Sequence, residues 1–303
     1  MITTVTPLIE TLTEVNTVDL LESTGLLCLR DTPLRRLFRP AARRFARTAH
    51  EFDARVGEHG LAQGSAWLMS RMTAGIITSG LEHVPRKGPV IILANHPGMT
   101  DTVALFTSLA SRPDLRVIAS DRPFLRALPH VARQLIFLPD EERGHMAVVR
   151  AAGRHLQEGG ALLTFPAGEI EPDPATFGLE RAAASLQNWS ISYALFARLV
   201  PEARFVPALV SHVISPDAQR HPLTRLYRTA RNKERIAATL QVMLPRYRDL
   251  VARVTFGNAS RLGVCGAQAL GASIAAQMRQ LLFADGPAQH TGGSLDPLMP
   301  SRN

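Results

Sequence analysis

A short apolar run that leads into a histidine most constrains how this chain can fold. Val90–Ala94 is β-branched and apolar, and prolines and glycines bound it on both sides, which is typical of a buried strand. Pro97-Gly98 predicts a turn, and Thr100 is a predicted N-cap for the helix that follows. The carboxylate of Asp101 can then accept the hydrogen of one His96 ring nitrogen, which leaves the other nitrogen as a base. The spacing therefore predicts a catalytic His96/Asp101 pair that needs no metal.

Spacing alone does not identify such a pair, because the chain holds ten histidines and His212 stands at the same distance from Asp217. The context favours His96, since Asn95 precedes it and a Pro-Gly turn leads from strand to helix. The alternative is a histidine that only packs at the end of a strand.

Four blocks in order resemble the glycerolipid and lysophospholipid acyltransferase family, of the 1-acylglycerol-3-phosphate acyltransferase type. Residues 95–101 are similar to its N-H-x-x-x-x-D block, and residues 80–89 resemble its entry segment. Residues 165–169, read F-P-A-G-E, resemble its F-P-E-G block, and residues 206–208 resemble its late V-P block. The resemblance covers about residues 75–258.

The resemblance implies an enzyme that moves an acyl chain from a thioester donor to a lysophospholipid or related lipid acceptor. His96, held by Asp101, would act as the general base, and no cofactor is expected beyond acyl-CoA or acyl carrier protein as donor. Backbone N–H groups around Gly168 are candidate donors to the developing oxyanion. The residues expected to contact substrate are Asn95, Gly98, Arg143, Phe165, Pro166, Gly168 and Glu169.

The sequence departs from the family pattern at two places. Ala167 occupies the first Glu position of the third block, and Ile170 stands where an Arg that grips phosphate is expected. Arg143 is the only arginine near the expected second block. These departures favour an acceptor other than the standard phosphatidic acid precursor, and Glu169 and Glu171 have the alternative interpretation of a solvated acidic loop. They also leave open a catalytically silent relative that binds lipid or acyl carrier, and a hydrolase that uses water as acceptor.

The net charge of +8 is unevenly distributed, with arginines concentrated at residues 30–47 and basic residues at 220–235. A helix predicted from Pro40 to Gly57 has an apolar side and a basic side. This helix either lies on an anionic membrane surface or packs on the domain with its basic face in water. An acidic or phosphate-bearing donor also suits such a surface, whereas nucleic acid is not expected, since aromatic residues make up only 6% of the chain and no binding motif is present.

The expected architecture is an α/β fold with a mixed central sheet flanked by helices, preceded by an N-terminal helical segment. The predicted division is residues 1–79 (helical and Arg-rich), residues 80–283 (acyltransferase domain) and residues 284–303 (disordered tail). Residues 65–78 read as an apolar connection and residues 179–198 as one helix. Cys28 and Cys265 suggest neither a disulfide nor a zinc site, and the N-terminus does not resemble a signal peptide. We expect a cytoplasmic protein that is peripheral at the inner face of the membrane.

Overall fold

The computed structural model describes residues 5–227, 229–261 and 266–285. Its centre is one mixed seven-stranded sheet with the strand order β1-β7-β6-β2-β5-β3-β4. The strands are β1 (Gly75–Ser79), β2 (Val90–Ala94), β3 (Arg116–Ser120), β4 (Leu135–Leu138), β5 (Ala161–Thr164), β6 (Arg204–Ser211) and β7 (Val251–Phe256). The predicted α/β fold with a mixed central sheet is therefore confirmed.

The β2 strand lies in the middle of the sheet, and all five of its residues are buried. It pairs in parallel with β5 on one side and β6 on the other, which explains why its sequence is continuously apolar. The β7 strand runs antiparallel to β6, and β1 runs parallel to β7. The starts of β1 and β7 therefore lie at the same edge of the sheet as the end of β2; we call this edge the exit edge.

Helices cover both faces of the sheet, since alternate residues of β2 pack in two separate hydrophobic cores. They are α1 (Val5–Ser23), α2 (Arg39–His59), α3 (Leu61–Met72), α4 (Met99–Ser108), α5 (Pro123–Arg126), α6 (Pro129–Ala132), α7 (His145–Gln157), α8 (Pro174–Phe177), α9 (Leu179–Ser185), α10 (Ala194–Leu199), α11 (Pro216–Gln219), α12 (Ala230–Met243) and α13 (Gly266–Ala284). None of the helices in the described ranges has the length and apolar character needed to cross a membrane.

Two segments differ from the sequence-based expectation. The predicted connection at residues 65–78 is instead the end of α3 followed by β1, whose Ile-Ile-Thr run suits an edge strand. The single helix expected at residues 179–198 is two helices, α9 and α10. They are separated at Ser190, whose hydroxyl accepts from Ser192 N–H and whose own N–H donates to Pro166 O at 2.9 Å. The backbone N–H of Ser190 thus bonds to the third-block turn rather than continuing a helix.

The amphipathic helix predicted from Pro40 corresponds to α2, whose apolar side packs inside the protein. Ala46, Ala49, Phe52 and Val56 belong to the main hydrophobic core, and α2 packs against α1 and α3. This helix therefore has no free apolar side to lay on a membrane. It packs on the domain with its basic face in water, which was the second of the two alternatives. Most of the predicted disordered tail, and Cys265, lie outside the described residues.

Candidate active site

The site begins where β2 ends, because Asn95 extends the β2–β6 pairing with its side chain. Its Nδ2 donates to Val210 O at 2.9 Å, and its Oδ1 accepts from Val210 N–H at 2.7 Å. The amide, which is buried, thereby reproduces the two hydrogen bonds of a strand neighbour. Asn95, predicted as a substrate contact, is thus placed where it fixes the backbone that carries His96.

The His96 ring is hydrogen-bonded to Asp101 through Nδ1 and Oδ2, at 2.8 Å. The same Oδ2 accepts from Gly98 N–H at 3.0 Å, and Oδ1 accepts from the Thr102 hydroxyl at 2.9 Å. Asp101 is completely buried, whereas 28% of the His96 side chain is exposed. Since a carboxylate only accepts hydrogen bonds, Nδ1 carries the hydrogen and Nε2 keeps its lone pair in the neutral ring. No described residue forms a hydrogen bond with Nε2.

The turn differs in detail from the predicted one. The α4 helix begins at Met99, with Gly98 as its N-cap, so Thr100 lies inside the first turn and is not the cap. Asp101 is the third helical residue, from which its carboxylate reaches back to the N-cap N–H. The same carboxylate therefore closes the helix start and orients the imidazole.

The electrostatic environment of His96 favours the protonated ring. Burial alone lowers the pKa of the imidazole, but the charge and hydrogen bond of Asp101 and the charge of Glu171 outweigh it. The pKa of His96 therefore lies above its ordinary value. The imidazole is thus a stronger base than a free histidine, and it needs a correspondingly higher pH to be neutral.

Glu171 holds the backbone of His96 and was missed by the sequence analysis. Its Oε2 accepts from His96 N–H at 3.0 Å, and its own N–H donates to His96 O at 2.8 Å. Its Oε1 accepts from Trp189 Nε1 at 2.8 Å and from the Ser185 hydroxyl at 3.0 Å. Only 3% of Glu171 is exposed, and burial raises the pKa of its carboxyl. The interpretation of Glu171 as part of a solvated loop is therefore wrong, and no sequence signal would have distinguished it from Glu169.

The third block forms a turn beside the histidine. The Phe165 ring lies 4.5 Å from the His96 ring, centroid to centroid. Pro166 is buried, and Glu169 is exposed. Gly168 has a φ of +67°, which favours glycine, and its N–H donates to Phe165 O at 3.0 Å. Because this N–H closes the turn, Gly168 does not offer it to an oxyanion in this conformation.

Arg143 is exposed in the segment between β4 and α7. The β4 strand is the outermost strand on its side of the sheet, three positions from β2. The structure therefore does not bring Arg143 together with His96. Gly98, in contrast, lines a cavity at the exit edge.

This cavity has a volume of about 1100 Å³. One wall is the catalytic turn, through Pro97, Gly98 and Thr100, and Ile170 lies beside it. The remaining walls come from α1, α2, α3, α12 and the segments around Arg122 and Arg248. This volume is slightly above the usual range for ligand pockets. The cavity is therefore large enough for a long acyl chain together with polar groups. In the described ranges, His, Cys, Asp and Glu side chains form no group of three that would hold a metal ion.

Comparisons with known proteins give one family match and a likeness to a solved structure. Residues 75–194 match the family model described as Acyltransferase. No curated protein matched in the sequence search. Among solved structures, the chain is similar to the 1-acyl-sn-glycerophosphate (LPA) acyltransferase PlsC from Thermotoga maritima, with 15% identity and a TM-score of 0.46 over 94% of this chain and 98% of that one. The match to this family model spans three of the four sequence blocks, at residues 80–89, 95–101 and 165–169.

Proposed function

We propose that this protein transfers an acyl chain from a thioester donor to a hydroxyl or amine of a lysophospholipid or related lipid acceptor. The observation that carries the proposal is the His96–Asp101 hydrogen bond of 2.8 Å, with Nε2 available, in a turn whose Pro97, Gly98 and Thr100 line a cavity of about 1100 Å³. The family of residues 75–194 supports the same reaction class.

The reaction proceeds by direct attack. His96 Nε2 takes the proton of the acceptor hydroxyl while its oxygen bonds to the thioester carbonyl carbon. The tetrahedral intermediate then collapses, the carbon–sulfur bond breaks, and the imidazolium returns its proton to the leaving thiolate. An ester and a free thiol result, and His96 ends neutral. Asp101 stabilises the imidazolium that exists between the two proton transfers.

The test is acyl transfer by purified protein, with radiolabelled acyl-CoA and acyl carrier protein as separate donors. The acceptors are lysophosphatidic acid, other lysophospholipids, lyso-aminolipids and no acceptor. We expect His96→Ala to abolish acceptor-dependent transfer and Asp101→Asn to reduce it by about a hundredfold or more. His59→Ala is the matched control, because His59 is an exposed residue at the end of α2.

Three results would contradict the proposal. Binding of donor and lipid without turnover would identify a silent relative, an alternative that the Ala167 and Ile170 departures keep in view. Release of free fatty acid without acceptor would identify a hydrolase. Full transfer activity in His96→Ala would show that His96 is not the base.

We further propose that the protein docks on an anionic membrane surface through an apolar and basic face around residues 26–37, here called the leucine face. Exposed leucines and arginines lie together there, with the half-buried Arg35 among them: Leu26, Leu27, Arg30, Leu34, Arg36 and Leu37. The Tyr227 hydroxyl bonds to Thr24 O, which brings the exposed Leu223 and Leu226 to the same side. Leucines that insert beneath headgroups and arginines that bind lipid phosphates are the combination that anionic bilayers attract. Arg30 and Arg35 also line the cavity, so docking there would place its entrance at the lipid.

A further inference from the structure

Three arginines from three elements line one wall of the cavity: Arg44 of α2, Arg71 at the end of α3, and Arg248 just before β7. The Arg248 Nη1 donates to Arg71 O at 2.9 Å, which joins the segment before β7 to the end of α3. Partial burial and the nearby positive charge of Arg44 both lower the pKa of the Arg248 guanidinium. Arg44 and Arg248 are therefore like charges held close together at the cavity wall.

Five carboxylates line the same cavity, and four of them bind other arginines. Four such pairs are Glu14 with Arg35, Glu22 with Arg235, Glu51 with Arg55, and Glu234 with Arg181. Burial raises the pKa of the fifth, Asp19, and the nearby charge of Arg122 acts against this rise. Within the described part of the chain, no salt bridge joins Arg44 or Arg71 to a carboxylate. The positive charges of Arg44 and Arg71 are therefore available to a ligand at this wall.

Trp67 supports one of these arginines. The Arg71 guanidinium lies 5.4 Å from the centroid of the Trp67 ring, and the Arg55 guanidinium lies 4.6 Å from it. A guanidinium held over an aromatic face is restricted in position while its N–H groups stay available. Trp67 also lines the cavity, so it orients Arg71 at that surface.

The strand directions place this arginine cluster at a defined distance from His96. Arg71 precedes β1 and Arg248 precedes β7, and both strands start at the exit edge. From β2, the β7 strand is two positions away and β1 is three. The pairing registers set His96 level with about Val254 of β7, so the starts of β7 and β1 lie three residues further along the strand direction. At about 4.8 Å per strand and 3.3 Å per residue, the strand starts that follow Arg248 and Arg71 lie roughly 14 to 18 Å from His96.

We propose that Arg44 and Arg71, which lie beside Arg248, bind the phosphate of the 4′-phosphopantetheine arm through which the acyl donor carries its thioester. In this arm about thirteen bonds separate sulfur from phosphorus, an extended span of roughly 16 Å at ordinary bond lengths. In a lysophosphatidic acid only about four bonds separate the reacting oxygen from phosphorus, a span of roughly 5 Å. The separation in the structure fits the first span and exceeds the second. This inference rests on the proposed function, since it assumes that the thioester reacts at His96.

The experiment compares ligands that differ only in the phosphate. Calorimetry would measure the Kd of octanoyl-4′-phosphopantetheine and of octanoyl-pantetheine for the wild type and for the R44Q/R71Q double variant. The same pair of proteins would be titrated with a short-chain lysophosphatidic acid and the corresponding monoacylglycerol. Arg44 and Arg71 are exposed, so the double variant is expected to fold, and its melting temperature checks this. Arg150→Gln, an exposed arginine on α7, is the matched control.

We expect the wild type and Arg150→Gln to bind the phosphorylated donor at least about tenfold more tightly than the unphosphorylated one. The double variant should lose this preference and keep any preference for the phosphorylated acceptor. A retained donor preference would overturn the site, and loss of only the acceptor preference would assign the cluster to the lipid headgroup and overturn the donor assignment. Binding needs no turnover, so an inactive wild type that still shows the expected pattern would refute the acyl transfer and not the site. Acyl-CoA against acyl carrier protein in the transfer assay then separates the two sources of the arm.

Discussion

At the scale of single residues, two carboxylates act on His96 in different ways. Asp101 bonds to the ring and sets which nitrogen is free, while Glu171 bonds to both the backbone N–H and the backbone C=O of His96. Both raise the pKa of His96 by their charge. The base is therefore oriented by one group and fixed in place by the other.

The pH dependence of transfer should show this arrangement. Only the neutral imidazole accepts a proton, so kcat/KM should rise with pH through the raised pKa of His96 and be lost below it. Glu171→Gln removes one of the charges that raise this pKa, and the midpoint should therefore move to lower pH. The measurement is kcat/KM against pH for the wild type and the variant.

Glu169→Gln serves as the control, since Glu169 is an exposed glutamate two residues earlier. A midpoint that stays in place in Glu171→Gln, or that moves equally in both variants, would show that Glu171 does not act electrostatically on His96.

Some contacts between single residues could be predicted from the sequence, and others could not. The His96/Asp101 contact follows from local chain geometry, since five residues across a strand–turn–helix bring the two together. Glu171 reaches His96 through a contact between residues 75 positions apart. Arg44 and Arg248 are likewise far apart in sequence and come near each other only in the tertiary fold. Such long-range contacts leave no spacing or periodicity that sequence analysis can detect.

At the scale of elements, the position of the catalytic turn depends on the junction of β2 and β6. Asn95 supplies the last pair of hydrogen bonds of that junction, to the buried backbone of Val210. The apolar run of β2 predicted the strand, because a strand buried on both faces is continuously hydrophobic. The directions of β1 and β7 were not readable, since the side-chain pattern of a strand is the same in either direction.

Asn95→Ala would leave the Val210 N–H and C=O without their partners. An unpaired buried polar group costs about 1–3 kcal/mol, so we expect the free energy of unfolding to fall by about 2–4 kcal/mol. Urea denaturation of the wild type and the variant measures this loss. The exposed Asn188→Ala should change it by no more than about 0.5 kcal/mol. Equal stability of the two variants would mean that Val210 finds other partners.

At the scale of the whole molecule, the leucine face and the cavity lie next to each other. Leu37 and Leu226 are each 75% exposed, a high value for large apolar side chains in water. Composition indicated a basic N-terminal region, but the apolar side expected on α2 proved to be core. The free apolar surface lies instead before α2, in a segment with two short 3-10 helices, Leu27–Leu29 and Pro33–Leu37, which are too short to show a helical period in the sequence.

Replacing Leu34 and Leu37 with glutamine should weaken binding to vesicles of anionic phospholipid by about tenfold or more, through loss of apolar insertion. Sedimentation with vesicles at low and high salt measures the binding, which should also fall as salt rises. The control is M146Q/L195Q, which removes exposed apolar residues from α7 and α10. Similar losses in both double variants would show that vesicle binding has no defined face.

The two tryptophans of the chain lie at different parts of the site, so their fluorescence can report on each part separately. Trp67 lies in the cavity wall beneath Arg71, and the Trp189 indole donates to Glu171, which holds His96. The chain has no other tryptophan. In W67F the remaining emission comes from Trp189 and would follow the ionisation of Glu171. In W189F the remaining emission comes from Trp67 and would follow ligand binding at the arginine cluster. Fluorescence of the two single variants would thus report separately on the protonation of Glu171 and on ligand binding at the arginine cluster.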